Sequence, residues 1–573
     1  VAKDYPDVNM EEYDTDEQSR INFLNKMFES AKDARKHLMS RWRRNEELYE
    51  GKFLKPFNLP KYKTRVEPNV VHSVIETMYA ILTDRPPKVD IMPKTEDQVL
   101  QAYNAQEVID WVLQEKKAQR AISAMKRDGL IYGNGFLKIA MIDGEIEFIV
   151  PDPFTVYLDP LCTSIDNAQC VIFATPTYVD DIKEKYGKTV GAEGALDEHR
   201  SFVKAPDKYA TDKFNWDDVE SQGPQENANK SDYRGGQALL LEGWYYEDGE
   251  LMLATWSGAT LLQYERAPYD FIPLVTFQNY PSAHTVWGKG EPQIVESLAV
   301  GASIVLSQAI DNLILHGNPA IVMSKSLAKI PGNRVSDKPG KVYYINGPHE
   351  RIERLPAGNI SSSALPMAET LLSLTNETSG VHDVTKGMTP GSVTASRAIQ
   401  QLNEASQTVI RAKEREIGTD AIIDIYKMTL NIIAKNYPKT ISIRKFAEDG
   451  SGYEFNQINP YDLDPDLDFK YVPGSSLPES RAGRRDEAID LLQLGLLDAE
   501  SFWRWTQGDI TKDILNQIAQ AKAERQKQLE AEVDTISNST DEDEVMDSLL
   551  RFRELSGAAQ NDVPIEEKSN DQA

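Results

Sequence analysis

The 573-residue sequence predicts an α+β protein, mostly helical, divided into several sub-domains with small β-rich inserts. Three observations carry this. Apolar residues recur at helical spacing through long stretches of the chain. Between them, at 136–150 and 238–264, the period drops to two around Asp-Gly turns. The chain is also longer than one hydrophobic core usually supports.

The first helix is expected over 19–50, where Phe23, Met27, Ala31, Ala34, Leu38 and Trp42 fall on one stripe. Lys32, Arg35, Lys36, Arg41, Arg43 and Arg44 lie off it, as a solvated face or a partner face. Helices at 69–83 and 96–131 are separated by Arg85-Pro86-Pro87, because proline ends helices and extends the residue before it. Phe136–Met141 and Glu145–Val150 form a hairpin about Asp143-Gly144, closed by the turns Pro151-Asp152-Pro153 and Asp159-Pro160. Residues 190–236 are polar and read as a long surface excursion. Strands follow at Ala238–Tyr246, Leu251–Trp256, Thr260–Tyr264 and 271–277.

A long helix begins at 291, with Pro292 in its first turn. Ile294, Leu298, Ala302, Val305, Ala309 and Leu313 make its stripe, and Asn318-Pro319 ends it. Short strands at 320–323 and 341–345 flank a loop bearing Lys325, Lys329, Arg334 and Lys338. A second helix runs from Pro366 to a terminating Gly380. Next come a Gly/Thr-rich loop at 380–394 and a long helix with Ile399, Leu402, Val409 and Ile417 on its apolar side, which Gly418 can kink. Small strands at 441–446 and 468–472, helices over 480–525 and an acidic tail, disordered beyond Ser556, complete the chain.

The formal charge of −27 argues against electrostatic capture of nucleic acid or an anionic membrane. It is compatible with DNA that must slide, because each neutralised phosphate adds affinity. Ile294–Leu315, the longest apolar candidate, is interrupted by Glu296, Ser303, Gln308, Asp311 and Asn312, and the acidic N-terminus has no apolar run. A soluble protein without signal peptide or membrane span is expected. Cys162 and Cys170 have no metal or disulfide spacing and read as reduced core residues.

No phosphate-loop or His-Glu-x2-His motif is present, and His316 and His382 lack motif partners. Gly133-Asn134-Gly135 follows a helix and opens a strand, the reverse of a dinucleotide fingerprint, so it reads as a tight turn. Asp462, Asp464, Asp466 and Asp468 alternate like calcium ligands. However, Leu467 and Pro473 stand where such a loop needs Gly and Glu, and Pro465 interrupts it. No cofactor or metal is expected.

Taken in order, the landmarks resemble a tailed-phage portal protein, the head–tail connector, over roughly residues 20–500. Trp42-x2-Asn45-x3-Tyr49-x-Gly51 resembles the opening helix of that family. Asp128-Gly129-x2-Tyr132-Gly133-x-Gly135 with Asp152-Pro153 and Asp159-Pro160 is similar to its wing. Gly290-x2-Gln293, Gln308-x2-Asp311-Asn312 and Asn318-Pro319 look like the first stem helix running into the clip. Thr378-x-Gly380-Val381, Gly387 and Thr394-Ala395-Ser396 resemble the tunnel loop and the helix after it. Ile458-x2-Tyr461-Asp462-Leu463, Asp468 and Pro473-Gly474-Ser475 are similar to the strand that returns to the wing.

The resemblance implies a wing over 1–290, stem helices at 291–317 and 357–380, and a clip at 318–356. Tunnel loop, channel helix and wing return would occupy 381–478, with a helical crown at 479–555 and a disordered tail at 556–573. It implies a ring of twelve copies at one capsid vertex of the virion, assembled in the host cytoplasm. The ring would pass double-stranded DNA inward and outward and have no enzymatic activity. Its other partners would be the terminase large subunit, capsid or scaffolding protein, and later a head-completion adaptor or tail protein. Leu298, Ala302, Val305 and Ala309 would pack the stem between copies, and Lys325, Lys329, Arg334, Lys338 and Lys341 would face terminase or adaptor, or simply solvate the clip. Thr385, Lys386, Gly387, Met388 and Thr389 would form the tunnel loop. Lys386, the only Lys or Arg within 380–394, either guides phosphates or solvates the loop. The alternatives are a DNA-acting enzyme subunit, such as a nuclease or packaging motor, and another ring-forming adaptor. The missing phosphate loop disfavours the first, and chain length and element order disfavour the second.

Overall fold

The computed structural model describes residues 10–57, 59–60, 63–191, 236–317, 321–322, 329, 353–354, 364–382, 405–446 and 453–473. They fall into two units. The first comprises Val1–Met388, Ser406–Ile443 and Gln457–Leu477; the second comprises Thr389–Ala405, Arg444–Asn456 and Pro478–Ala573. Of the second, only Ala405 and the tips of two strands, β12 (Ile441–Phe446) and β13 (Tyr453–Ile458), are described.

The first unit combines helices with small antiparallel sheets, as the α+β expectation required. Helix α1 (Met10–Tyr49) is longer than expected, and its buried stripe runs through Ile21, Leu24, Phe28, Ala31, Arg35, Trp42 and Leu48. Phe23, placed on the stripe by its spacing, is 53% exposed. The discrepancy has a physical source in Arg35, which is buried within the stripe. Its guanidinium donates to the carbonyls of Phe154 at 2.9 Å, Pro153 at 3.2 Å and Val156, and it lies 3.7 Å over the Tyr157 ring. A cation assigned to a solvated face is therefore an internal tie.

Helix α2 (Val70–Leu82) is capped by Asn69, whose side chain accepts from the His72 amide at 3.1 Å. Such a cap contributes about 1 kcal/mol. The helix buries Val71, Val74, Ile75, Met78 and Leu82, each stabilising by roughly 1.5–3 kcal/mol. Strand β1 (Val89–Met92) follows and was not expected. Four residues between a Pro pair and a helix carry too little periodicity to announce a strand. The expected single helix at 96–131 is two, α3 (Val99–Glu115) and α4 (Ala118–Tyr132), broken where Lys117 takes φ +52°.

Gly133 ends α4 with φ +102°, and Gly135 packs so closely that a Cβ would strike the Met125 carbonyl. This is the tight helix-to-strand turn read from the sequence. It feeds β2 (Asn134–Ile142), which pairs with β3 (Glu145–Ile149) through the Asp143-Gly144 turn and with β9 (Leu274–Gln278) on its other side. A five-stranded antiparallel sheet carries β4 (Val156–Leu158), β5 (Cys170–Tyr178), β6 (Gln237–Glu247), β7 (Glu250–Ser257) and β8 (Thr260–Arg266) in that spatial order. Helix α5 (Val179–Tyr186) follows β5, and α1 covers one face of this sheet through Leu24, Phe28 and Ala31. Cys162 and Cys170 are buried and unpaired. Most of the predicted excursion at 190–236 lies outside the described residues.

Helix α6 (Glu291–Gly317) matches the expected long helix. By length and mean hydropathy, its Glu291–Ile314 portion could cross a membrane. In the fold it packs along α7 (Ala364–Ser379) and against α1, α2 and α4. Strands β10 (Ile321–Val322) and β11 (Glu353–Arg354) pair beyond it. The expected strand at 341–345 lies outside the described residues. Helix α8 (Thr408–Ile417) passes through a π segment at Gly418–Ile422 into α9 (Ile423–Asn436). Finally, β14 (Asp468–Tyr471) returns to pair with β1, antiparallel, across nearly 400 residues of chain.

Candidate functional site

Three polar residues of α6, Glu296, Ser307 and Asp311, each grip a neighbouring segment. Glu296 accepts from Arg44 Nε at 2.7 Å. Ser307 Oγ accepts from the Val66 amide at 2.9 Å, and Asp311 accepts from the Thr64 amide at 2.8 Å. Lys63 lies 3.4 Å from Asp311, whose carboxyl is held below its ordinary range because these hydrogen bonds and the cation outweigh desolvation. Segment 63–66 is thereby fastened along α6. On the side facing α7, small residues let the helices approach, and Gly301 lies opposite Leu371.

The four proposed stem residues divide. Ala302 and Ala309 are buried inside the chain, whereas Leu298 and Val305 are half-buried. Large apolar groups are exposed elsewhere on the pair: Leu313 and Ile314 on α6, and Leu365, Met367 and Leu374 on α7.

A polar knot closes the start of α6. Glu291 is fully buried there, at a helix N-terminus that favours a negative charge. It accepts from Lys413 Nζ of α8, from Asn279 Nδ2 at 3.1 Å and from Tyr280 at 3.4 Å. Lys413 also donates to Asn279 Oδ1 at 2.7 Å and lies 3.9 Å over the Tyr280 ring. Burial pulls Lys413 below its ordinary value, while Glu291 pushes the other way.

The next residue, Glu414, is buried too and accepts from the Tyr471 hydroxyl of β14. It also acts electrostatically on Lys126 of α4, which donates to the Leu82 carbonyl at 2.7 Å. Sequence reading missed this network. Its one signal is that Lys413 and Glu414 lie between Ile410 and Ile417 at the spacing of the buried stripe.

Helices α6 and α7 run antiparallel, as their ends show. The C-terminus of α7 meets α8 at Val409, and the N-terminus of α6 meets it at Lys413, about one turn further on. Gly380, at φ +72°, stops α7 so tightly that a Cβ would lie 2.8 Å from Val409. The chain therefore leaves at Gly380 and is back beside the same point at Val409. Thr385, Lys386, Gly387, Met388 and Thr389 lie between, outside the described residues, as do Lys325, Arg334, Lys338 and Lys341. Lys329 is exposed in a turn.

Among the described residues, no group of three or more His, Cys, Asp or Glu side chains is placed to hold a metal ion. The Asp462–Asp468 run serves the β1–β14 end of the fold. Asp464 accepts from Gln98 at 2.7 Å, and Asp466 takes Lys94 at 2.5 Å. An open pocket of about 230 Å3 lies by α1, lined by Phe23, Met27, Asp159, Cys170 and Tyr245 among others. Asp159 accepts from the Leu161 and Gln169 amides, and burial pushes the Cys170 thiol up to about 12.

The family model described as the phage SU10 portal protein matches residues 140–494, from β2 through the antiparallel helices and β14. No curated protein matches the chain. With more than half of the chain matched, this protein belongs to the phage SU10 portal protein family, and its role is that of a phage portal protein.

Proposed function

We propose that copies of this chain close into a ring, twelve-fold as in the resemblance, which forms the passage for double-stranded DNA at one capsid vertex. The observation that carries this reading is the outer face of the α6–α7 pair. Leu313, near the end of α6, and Leu365 and Met367, near the start of α7, are 58%, 59% and 57% exposed. A second copy would cover such a surface, and a head-to-tail contact that closes on itself makes a ring. The converging ends at Gly380 and Val409 support a loop projecting from the body, in which Lys386 is the cation offered to passing phosphates. One cation per copy in an acidic chain guides DNA without the retention that many phosphate contacts bring.

In this reading the chain is structural and non-enzymatic. The terminase large subunit docks during packaging and a head-completion adaptor or tail protein follows. Capsid or scaffolding protein surrounds the ring in the virion, after assembly in the host cytoplasm. Lys325, Lys329, Arg334, Lys338 and Lys341 are proposed for the docking face.

Particle mass and two-dimensional averaged images of the purified chain test the ring; monomers or open filaments would sink it. Deleting 383–391 should leave rings intact and impair DNA packaging or retention. Loss of rings would make that segment part of the assembly core instead. DNA-dependent nucleotide hydrolysis by the purified chain would contradict the non-enzymatic role.

A further inference from the structure

The buried face of α8 reads Ile410, Lys413, Glu414, Ile417, so two adjacent opposite charges lie where a stripe is normally apolar. They reach different elements. Lys413 meets Glu291, Asn279 and Tyr280 at the head of α6, and also feels the charge of Glu416. Glu414 meets Tyr471 on β14 and acts on Lys126 of α4. Immediately after this face the helix takes its π segment, Gly418–Ile422. Gly418 is required there, because a Cβ would enter the Tyr471 ring, the same ring whose hydroxyl holds Glu414.

A π segment carries one residue more in its hydrogen-bonded turn than an α-helix. Removing that residue, or moving it past α8, would turn α8 by about 100° and shift it by about 1.5 Å relative to α9. Ile410 and Ile417 oppose such a slip through lost burial alone, which fixes no partner atom by atom. Buried charges do fix one, since in a slip each would lose its partners inside the protein.

We propose that Lys413 and Glu414 are positioning residues that lock α8 in one register against α6, α4 and β14, with the π segment absorbing the extra residue that this register leaves over. The lock holds whether or not the chain lines a DNA channel. Buried polar contacts are best attested in this role of choosing one register among several. Both charges are needed because they point to different elements. A single pair would leave α8 free to pivot about it.

The test is hydrogen–deuterium exchange on the full chain with Lys413→Met and Glu291→Leu together, which removes the pair and keeps the volume. The expected result is exchange about tenfold faster across 408–422, with 423–436 unchanged, and a modest fall in melting temperature because the buried Asn279 side chain loses two partners. Unchanged exchange across 408–422 overturns the lock. So does a uniform rise through α6, α8 and α9, which would mean a general loss of stability.

Deleting Thr419, which is exposed, tests the same point from the other side by closing the π segment into an α-helix. It should abolish the protection of 408–417 in the parent chain. Full protection after the deletion would show that the charges do not set the register.

Discussion

Helices α6 and α8 touch at the contact between Glu291 and Lys413, yet the faces that matter most are fixed by different means. On its α7 side α6 packs through small residues such as Gly301, and the pair leaves large apolar side chains outside. Helix α8 is held by two buried charges that face different elements. Close packing of small groups is non-directional and creates a surface that another copy can use. Buried charges are directional, offer nothing to a partner, and specify a position. The proposed ring would use both, a surface for neighbours and a fixed frame behind it.

The comparison breaks most visibly at Lys413. Lys413→Ala leaves the Glu291 carboxylate buried without its cation, and should cost about 3–5 kcal/mol in denaturant unfolding. A loss below about 1 kcal/mol would mean that the pair is not closed off from water.

Ala302→Trp attacks the packed side. Ala302 is 0% exposed within one chain, so overpacking should cost about 1–3 kcal/mol and lower ring yield in step with stability. Rings lost at unchanged stability would place Ala302 at the contact between copies instead.

A smaller effect is read by pH. Burial lowers Lys126 from 10.5 to about 8, with Glu414 pushing the other way. Between those values the unfolded chain binds more protons, so this group makes stability rise with pH through that window, and its penalty is complete below about 8. Lys126→Met should flatten that rise in the difference between variant and parent; an identical slope would place Lys126 in solvent.

Least costly to the fold are Leu313→Ser and Leu365→Ser on the exposed face, each within about 0.5 kcal/mol of the parent by unfolding. They sharpen the contrast because ring yield should fall while stability stays constant. Rings that form normally would remove this face from assembly.

Much of this fold was legible in the sequence, for particular reasons. The Asp143-Gly144 and Asp248-Gly249 turns adopt positive φ at both positions, so the hairpins they join were placed closely. Gly380 and the α6–α7 pair were marked by periodicity and a helix-ending glycine. The stripe of α1 was misplaced because Arg35 occupies a core position, and a charge in a stripe looks like its edge. Strand β1 is too short to show a period, and its ladder partner, β14, lies far along the chain. The Glu291–Lys413 and Glu414–Tyr471 contacts were illegible for the same reason as Arg35. Nothing local distinguishes a buried charge with a distant partner from a solvated one.

The close approach of Gly380 to Val409 makes the intervening stretch an interchangeable cassette. Its two ends are brought together by the helices themselves, so any insert that starts and finishes at that gap meets the same boundary condition. Each doubling of its length costs only about 0.6 kcal/mol in closure entropy. Selection can therefore lengthen, shorten or recharge the residues between those two points while the helix ends that meet there keep their contact.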